Sequence, residues 1–141
     1  METSAKDRQL VLNRVKCLQC GEVLISRHRH DYQKCTCPNQ TSTDGGLSYM
    51  HYGGMEMDKV ETLPVYLDDD YTIVRESFHW GTYGRESKGP LKFVRLKSMS
   101  NDHIMKILAL MTGKMSKWTE ELFEREIKYR KENKIRIEEN L

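Results

Sequence analysis

The sequence has no uninterrupted apolar stretch close to the roughly 20 residues that a helix needs to cross a bilayer. Its N-terminus, METSAKDRQL, also lacks the basic region followed by an apolar one that marks a secretory signal. These two absences predict a protein that works in the cytoplasm and has no membrane partner. Because the cytoplasm keeps thiols reduced, we expect the four cysteines of the chain not to form disulfides.

Familiar catalytic patterns are missing as well. The chain contains no P-loop, no serine or cysteine nucleophile with a placed base, and no pair of carboxylates at catalytic spacing. These absences favour a binding protein over an enzyme.

Basic and acidic residues are unevenly distributed along the chain. The net charge is +2, but residues 14–37 carry five Lys and Arg against two acids, residues 38–78 two against eight, and residues 85–141 fourteen against nine. An acidic middle therefore separates two basic ends. Four thiolates on a zinc ion would reduce the charge of the first segment from +3 to +1, so this distribution favours a protein surface over a phosphate backbone as partner.

The cysteines form a C-x2-C pair and a C-x-C pair with 14 residues between them. This pattern in a reduced chain indicates one zinc ion, with all four cysteines as ligands: Cys17, Cys20, Cys35 and Cys37. Four sulfurs fill a tetrahedron and leave no position for water, so the predicted site is structural. Two alternatives stay open: His28 or His30 replaces one cysteine in an open catalytic site, or the cysteines are reduced and metal-free.

The hydrophobic patterns predict an α+β fold, with an N-terminal zinc ribbon that continues into a small antiparallel sheet and a C-terminal pair of helices. We expect residues 1–54 to form the zinc-ribbon module and residues 55–141 a sheet and two-helix lobe, unless the two are one continuous domain. The predicted strands are VLNRVKC, EVLISR, YQKCTC, residues 47–52, residues 71–79 and residues 91–96, and the predicted helices are residues 101–111 and 117–134.

Two patterns of charged side chains are predicted to face solvent. Residues 68–70 are three adjacent aspartates without the alternate spacing of a calcium loop, which indicates a solvated loop. In the last helix, Glu121 with Arg125 and Glu126 with Arg130 stand at i,i+4, where we expect them on the outer face.

Three short segments are candidate binding elements. The run RHRHD offers guanidinium and imidazole groups to a phosphate or an acidic surface, although such a run is also typical of a solvated turn. The DGG turn has backbone N–H groups for an anion or nucleotide, although it also suits a plain tight turn. The third element is the segment near residue 83, where aromatic rings could stack on nucleic-acid bases and the neighbouring cations could contact phosphates. The candidates are Arg27, His28, Arg29, His30, Asp44, Gly45, Gly46, Arg85 and Lys88.

The order of these motifs resembles a known family. C-x2-C-G-E-V-L-I-S-x-x-R-H-D, then C-x-C, then D-G-G and an aromatic segment ending in Gly53-Gly54, is similar to small zinc-ribbon proteins of unknown function in tailed phages and Gram-positive bacteria. The resemblance covers about residues 15–75. Residues 79–104 also resemble a segment of tailed-phage accessory proteins. The resemblance implies a phage or prophage accessory gene and carries no catalytic residues with it.

Together these observations predict a zinc-stabilised accessory protein that binds a host macromolecule in the host cytoplasm, most simply a host protein, and modulates or inhibits it. A nucleic-acid-binding zinc ribbon is the alternative, since zinc ribbons often serve there and the C-terminal end is basic. A metal-dependent nuclease using His28, His30 and Asp31, or a nucleotide-binding protein using the DGG turn, is a further alternative.

Overall fold

A computed structural model describes residues 8–83 and 89–137 of the chain. Their strands and helices confirm the predicted α+β class. The strands are β1 (Leu10–Cys17), β2 (Val23–Ser26), β3 (Gln33–Lys34), β4 (Ser42–Asp44), β5 (His51–Gly53), β6 (Val60–Thr62), β7 (Val65–Tyr66), β8 (His79–Thr82) and β9 (Lys92–Arg95). The helices are α1 (Tyr71–Ser77), α2 (Asn101–Met111) and α3 (Lys117–Glu132). None of the helices in the described ranges is both long and apolar enough to cross a membrane.

The chain divides into two compact units, Met1–His79 and Trp80–Leu141. The first unit therefore contains β6, β7 and α1, which the sequence assigned to the second lobe. The predicted boundary after residue 54 stays a prediction.

The first unit is built around β1, whose apolar run is buried almost throughout. β1 pairs antiparallel with β2 and β6 along its second half and with β7 along its first half. The short strands β3, β4 and β5 form a second antiparallel sheet, in which β4 lies beside β1 and β2. Since β1 ends at Cys17 and β3 ends one residue before Cys35, the two sheets bring both cysteine pairs to one place.

Residues 71–79 are not the predicted strand. Residues 71–77 form α1, because the side chain of Asp70 accepts a hydrogen bond from the N–H of Thr72 at the start of the helix. Val74 and Phe78, four positions apart, are both buried, which is the helical spacing. The apparent alternation was therefore misleading, and the last of the three aspartates is a helix cap.

The strand predicted over residues 47–52 is shorter than expected. Residues 46–48 form a turn, and only residues 51–53 pair as β5. The carbonyl groups of Leu47 and Tyr49 instead accept hydrogen bonds from the side chains of Gln9 and Asn13. The third ribbon strand is likewise reduced to the two residues of β3.

The second unit contains β8 from Trp80 onward, its partner β9 and the two predicted helices, whose starts are confirmed. Ser100 caps α2 by accepting a hydrogen bond from the N–H of His103, and Ser116 stands at the N-cap of α3 with its hydroxyl against Thr119. Trp80 meets Phe123 of α3 edge to face at 5.3 Å between ring centroids. The buried apolar residues described in the second unit are Leu96, Met99, Ile104, Ile107, Leu122 and Phe123.

One predicted feature of α3 is wrong. Glu126 and Arg130 are buried and pair at 2.7 Å, whereas we expected them on the outer face. The guanidinium of Arg130 also donates to the carbonyl oxygen of Leu96 at 2.9 Å and to the side-chain oxygen of Asn101 at 2.6 Å. These contacts tie α3 to the start of α2, which the i,i+4 spacing alone does not reveal.

Candidate metal centre

The first cysteine pair lies in a tight turn that directly follows β1. The N–H of Cys17 donates to the carbonyl of Glu22 at 2.9 Å, and the N–H of Gly21 donates back to the carbonyl of Cys17 at 2.7 Å. Gly21 has φ of +80°, a left-handed conformation that glycine adopts without strain. The glycine after the second cysteine therefore closes the turn that presents both sulfurs.

The second pair lies in a turn with a similar pattern of bonds. The N–H of Cys35 donates to the carbonyl of Thr41 at 2.9 Å, and the N–H of Gln40 donates to the carbonyl of Cys37 at 3.0 Å. Gln40 has φ of +50°, so a non-glycine residue takes the left-handed position here. One intervening residue between the cysteines is thus enough, because the chain turns back after Cys37.

The four sulfur atoms, of Cys17, Cys20, Cys35 and Cys37, all lie within 4.8 Å of one another and could hold a metal ion. The sulfur of Cys37 is 3.5 Å from those of Cys17 and Cys35. A tetrahedral zinc ion with bonds of about 2.3 Å places its sulfur ligands about 3.8 Å apart, so the observed spacing fits such an ion. The cysteines form no disulfides with one another.

The surroundings of the sulfurs differ in their effect on ionisation. A hydrogen bond from the side chain of Thr41 lowers the pKa of Cys17 to about 6, whereas burial raises the pKa of Cys37 to about 12. The surroundings therefore favour the thiolate form at Cys17 and the thiol form at Cys37. A metal ion must displace the remaining protons, which makes its affinity fall as the pH falls.

A short segment after Gly54 closes over both turns. Its N–H groups at Met55 and Glu56 donate to the backbone and side-chain oxygens of Asn39, at 2.7 and 2.8 Å. Asn39 is buried and donates from its side chain to the hydroxyl oxygen of Thr41 at 2.8 Å. A chain of hydrogen bonds thus runs from this segment through Asn39 to Thr41, the residue whose side chain lowers the pKa of Cys17.

Neither predicted alternative ligand belongs to this cluster. Within residues 8–83 and 89–137, the cysteines are the one group of three or more His, Cys, Asp or Glu residues that could hold an ion. His28 and His30 are exposed on the loop of residues 27–31. The carboxylate of Asp31 accepts hydrogen bonds from the N–H of Arg27 at 2.8 Å and from Gln33 at 2.6 Å, so it serves to close this loop.

The structure brings two of the predicted binding segments together. Gly46, in the DGG turn, lies so close to the loop that an added Cβ would stand 2.4 Å from the carbonyl carbon of His28. The N–H of Gly46 donates to the hydroxyl of Ser26 at 3.0 Å, and this hydroxyl donates to the carbonyl of Asp31 at 2.7 Å. The glycine turn therefore supports the RHRH loop, by which we mean residues 27–30.

Asn13 fixes the glycine turn by hydrogen bonds. The sequence did not lead us to predict this role. The buried side chain of Asn13 donates to the carbonyls of Asp44 and Gly46, both at 3.0 Å, and accepts from the hydroxyl of Thr43 at 2.7 Å. The available signal was a single asparagine inside the apolar run LVLNRV, since a buried amide needs partners.

The other candidate binding residues are placed as follows. All four residues of the RHRH loop are exposed. Asp44 is half-buried, with a carboxylate oxygen 3.3 Å from Nδ1 of His51. Arg85 and Lys88 lie outside the described residues.

Comparison with known protein families gives a match to part of the chain. Residues 9–54 match the model of a domain of unknown function, DUF7695. No curated protein and no solved structure matches the chain significantly. The matched segment begins just before β1 and ends at Gly54, so it contains the complete cysteine cluster and both the RHRH loop and the DGG turn. The cysteine cluster suited to a metal ion thus lies inside a segment that matches a domain of unknown function.

Proposed function

We propose that the protein is a zinc-stabilised accessory protein of a phage or prophage, which binds a macromolecule in the host cytoplasm and modulates or inhibits it. We expect the partner to be a host protein. In this account, one zinc ion bound by the four cysteines is structural. The ion would fold the two cysteine turns, because a ribbon of this size buries little apolar surface.

The observation that carries the proposal is the way the RHRH loop is held. Its four side chains are exposed, yet its backbone is fixed by Asp31, by Ser26 and by the close approach of Gly46. A preorganised loop loses little conformational entropy on binding, and its guanidinium groups suit carboxylates on a protein surface. A closed set of four sulfur ligands leaves no open metal position, which favours recognition over catalysis.

A pull-down from host lysate tests this function. The bait is the zinc-loaded full chain, compared with the double variant Arg27→Ala/Arg29→Ala. The control is Lys114→Ala/Lys117→Ala, which removes the same charge from exposed positions in the second unit. We expect one stoichiometric host protein with the wild type and the control, and its loss with the loop variant. Recovery of no stoichiometric protein by the wild type would contradict the proposal.

A nucleic-acid partner is the second candidate, favoured by the paired arginines and histidines of the same loop. It predicts binding to a DNA or RNA duplex that weakens steeply as salt rises, since each neutralised phosphate releases counterions. The acidic residues that follow the loop in sequence oppose such a partner. Duplex binding that disappears in Arg27→Ala/Arg29→Ala, without any protein captured, would place this candidate first.

A further inference from the structure

The first unit contains a cleft that neither the cysteines nor the RHRH loop form. It has a volume of about 690 Å³, within the range of small-ligand sites. The start of β1 contributes Arg8, Gln9 and Leu10, while the residues between the glycine turn and β5 and those around β7 complete the lining. The cleft is thus built from three separated parts of the chain.

Three tyrosines line this cleft. Tyr49 and Tyr52 are 45% and 43% exposed, and Tyr66 is half-buried under the guanidinium of Arg8, which lies 4.1 Å from its ring centroid. Within residues 8–83 and 89–137, the hydroxyl groups of the three rings have no hydrogen-bond partner. Aromatic faces and unused hydroxyl groups together suit a ligand that is partly apolar and rich in acceptors.

The position of Tyr49 is fixed by the glycine turn. A Cβ on Gly45 would stand 2.0 Å from the carbonyl oxygen of Tyr49 and 2.7 Å from its ring. The carbonyl of Tyr49 is also 3.4 Å from the side-chain nitrogen of Asn13, which donates to it. The turn therefore gives the cleft a wall that exists before any ligand binds.

The charge around the cleft argues against an anionic ligand. Arg8, the one cation in its lining, pairs with Asp68 at 3.0 Å and with Asp69 at 2.8 Å. Its charge is therefore more than balanced, and Asp68 remains 63% exposed in its side chain. A phosphate group near Arg8 would be repelled by this carboxylate, whereas a basic side chain would be attracted to it.

We infer that this tyrosine cleft binds a proline-rich peptide segment that carries a basic residue, on a partner protein. A polyproline II chain makes no internal hydrogen bonds, so its carbonyl groups can accept from the tyrosine hydroxyls. Such chains dock on aromatic grooves at a small cost in entropy. The basic residue would lie toward Asp68. The inference rests on the proposed function as a protein-binding protein and names the partner's chemistry.

Fluorescence anisotropy with the zinc-loaded full chain tests the cleft directly. The probes are a panel of labelled proline-rich decapeptides with one Arg, with one Glu in its place, or with neither, and adenosine monophosphate is the competing anionic planar ligand. We expect saturable binding of Arg-bearing peptides and weaker binding of their Glu counterparts. Absence of saturable binding across the panel, or displacement of the peptides by adenosine monophosphate, would overturn the inference.

A matched pair of variants shows whether binding occurs at this cleft. Tyr52→Ala removes a cleft ring, and Tyr32→Ala removes a ring that is 59% exposed elsewhere in the same unit. We expect Tyr52→Ala to raise Kd about tenfold or more, and Tyr32→Ala to leave it unchanged. Equal effects of the two variants would overturn the inference.

The host pull-down separates this inference from the proposed function. If Tyr52→Ala still captures the host protein and the peptide panel does not bind, the cleft is not the recognition site, while the proposed function stands. If the wild type captures no protein and yet binds the Arg-bearing peptides, the proposed function fails and the cleft remains a peptide site.

Discussion

At the scale of single residues, three glycines of the first unit differ in what surrounds them. Gly21 has positive φ but open space where a Cβ would stand, Gly46 has positive φ and meets the backbone of His28, and Gly53 has neither constraint. We expect Gly21→Ala to cost about 1 kcal/mol of unfolding free energy from backbone strain alone, and Gly46→Ala about 2–3 kcal/mol. Gly53→Ala is the control and should change little.

Chemical denaturation of the three zinc-loaded variants measures the loss of unfolding free energy in each. Equal losses for Gly21→Ala and Gly46→Ala would show that the contact with His28 does not constrain the loop.

Thr41 is the second residue with a specific expected effect. Its hydroxyl lowers the pKa of Cys17 and accepts a hydrogen bond from the side chain of Asn39. Thr41→Val removes the hydroxyl and retains the shape of the side chain, so we expect metal affinity to fall about 10- to 100-fold, as for other groups that orient a ligand. Thr41→Ser keeps the hydroxyl and should stay near the wild type. Competition with a chromophoric chelator measures the affinities, and equal values for the two variants would contradict the role.

Some residues of the metal centre could be predicted from the sequence and others could not. The cysteine spacing was sufficient to choose four residues that the fold places within 4.8 Å. The roles of Asn13, Asn39 and Thr41 were not predictable in this way, because each depends on a partner brought near by tertiary structure. Spacing along a chain carries information on local turns and little on contacts between distant segments.

At the scale of elements, α3 contains two ion pairs at the same spacing but with different burial. Arg130 and Glu126 are 3% and 0% exposed, whereas Lys128 and Glu132 are 78% and 62% exposed and 3.9 Å apart. We expect Arg130→Met to cost about 3–5 kcal/mol, because it removes the buried guanidinium that pairs with the carboxylate of Glu126. Lys128→Ala should change stability by less than about 0.5 kcal/mol.

The double variant Glu126→Leu/Arg130→Met completes the comparison. Because it removes the buried carboxylate together with the buried guanidinium, we expect it to be more stable than Arg130→Met alone. Thermal or chemical unfolding measures all three, and a double variant less stable than Arg130→Met would contradict this account of the pair.

The elements were predicted unevenly, for physical reasons. α2 and α3 were predictable because a serine precedes each and apolar residues recur at helical spacing. α1 was mistaken for a strand because seven residues are too few to distinguish the two periods, and Asp70 was the signal that could have decided it. Likewise, the burial of Glu126 is decided by the neighbouring start of α2 and not by its own helix.

At the scale of the whole molecule, the cysteine cluster belongs to one unit and both tryptophans, Trp80 and Trp118, to the other. We expect metal removal by a chelator to increase hydrogen exchange of the backbone in residues 10–66 strongly, and in residues 101–132 much less, because the cysteine cluster lies in the first unit. Cys20→Ser, which removes one exposed ligand, should reproduce this pattern without chelator.

Mass spectrometry of the exchanged peptides measures hydrogen exchange in both ranges. Tryptophan fluorescence reports independently on the second unit. Zinc added back should restore protection to the wild type and not to Cys20→Ser. Equal loss of protection in both ranges would contradict the prediction that metal removal affects mainly the first unit.

The central claim is that the four cysteines alone bind one structural zinc ion, and X-ray absorption at the zinc edge of the purified full chain tests it most directly. The account predicts one zinc per chain with four sulfur neighbours at about 2.3 Å. A nitrogen or oxygen neighbour at about 2.0 Å would contradict it, because it would place His28, His30 or water on the ion and open the site to catalysis.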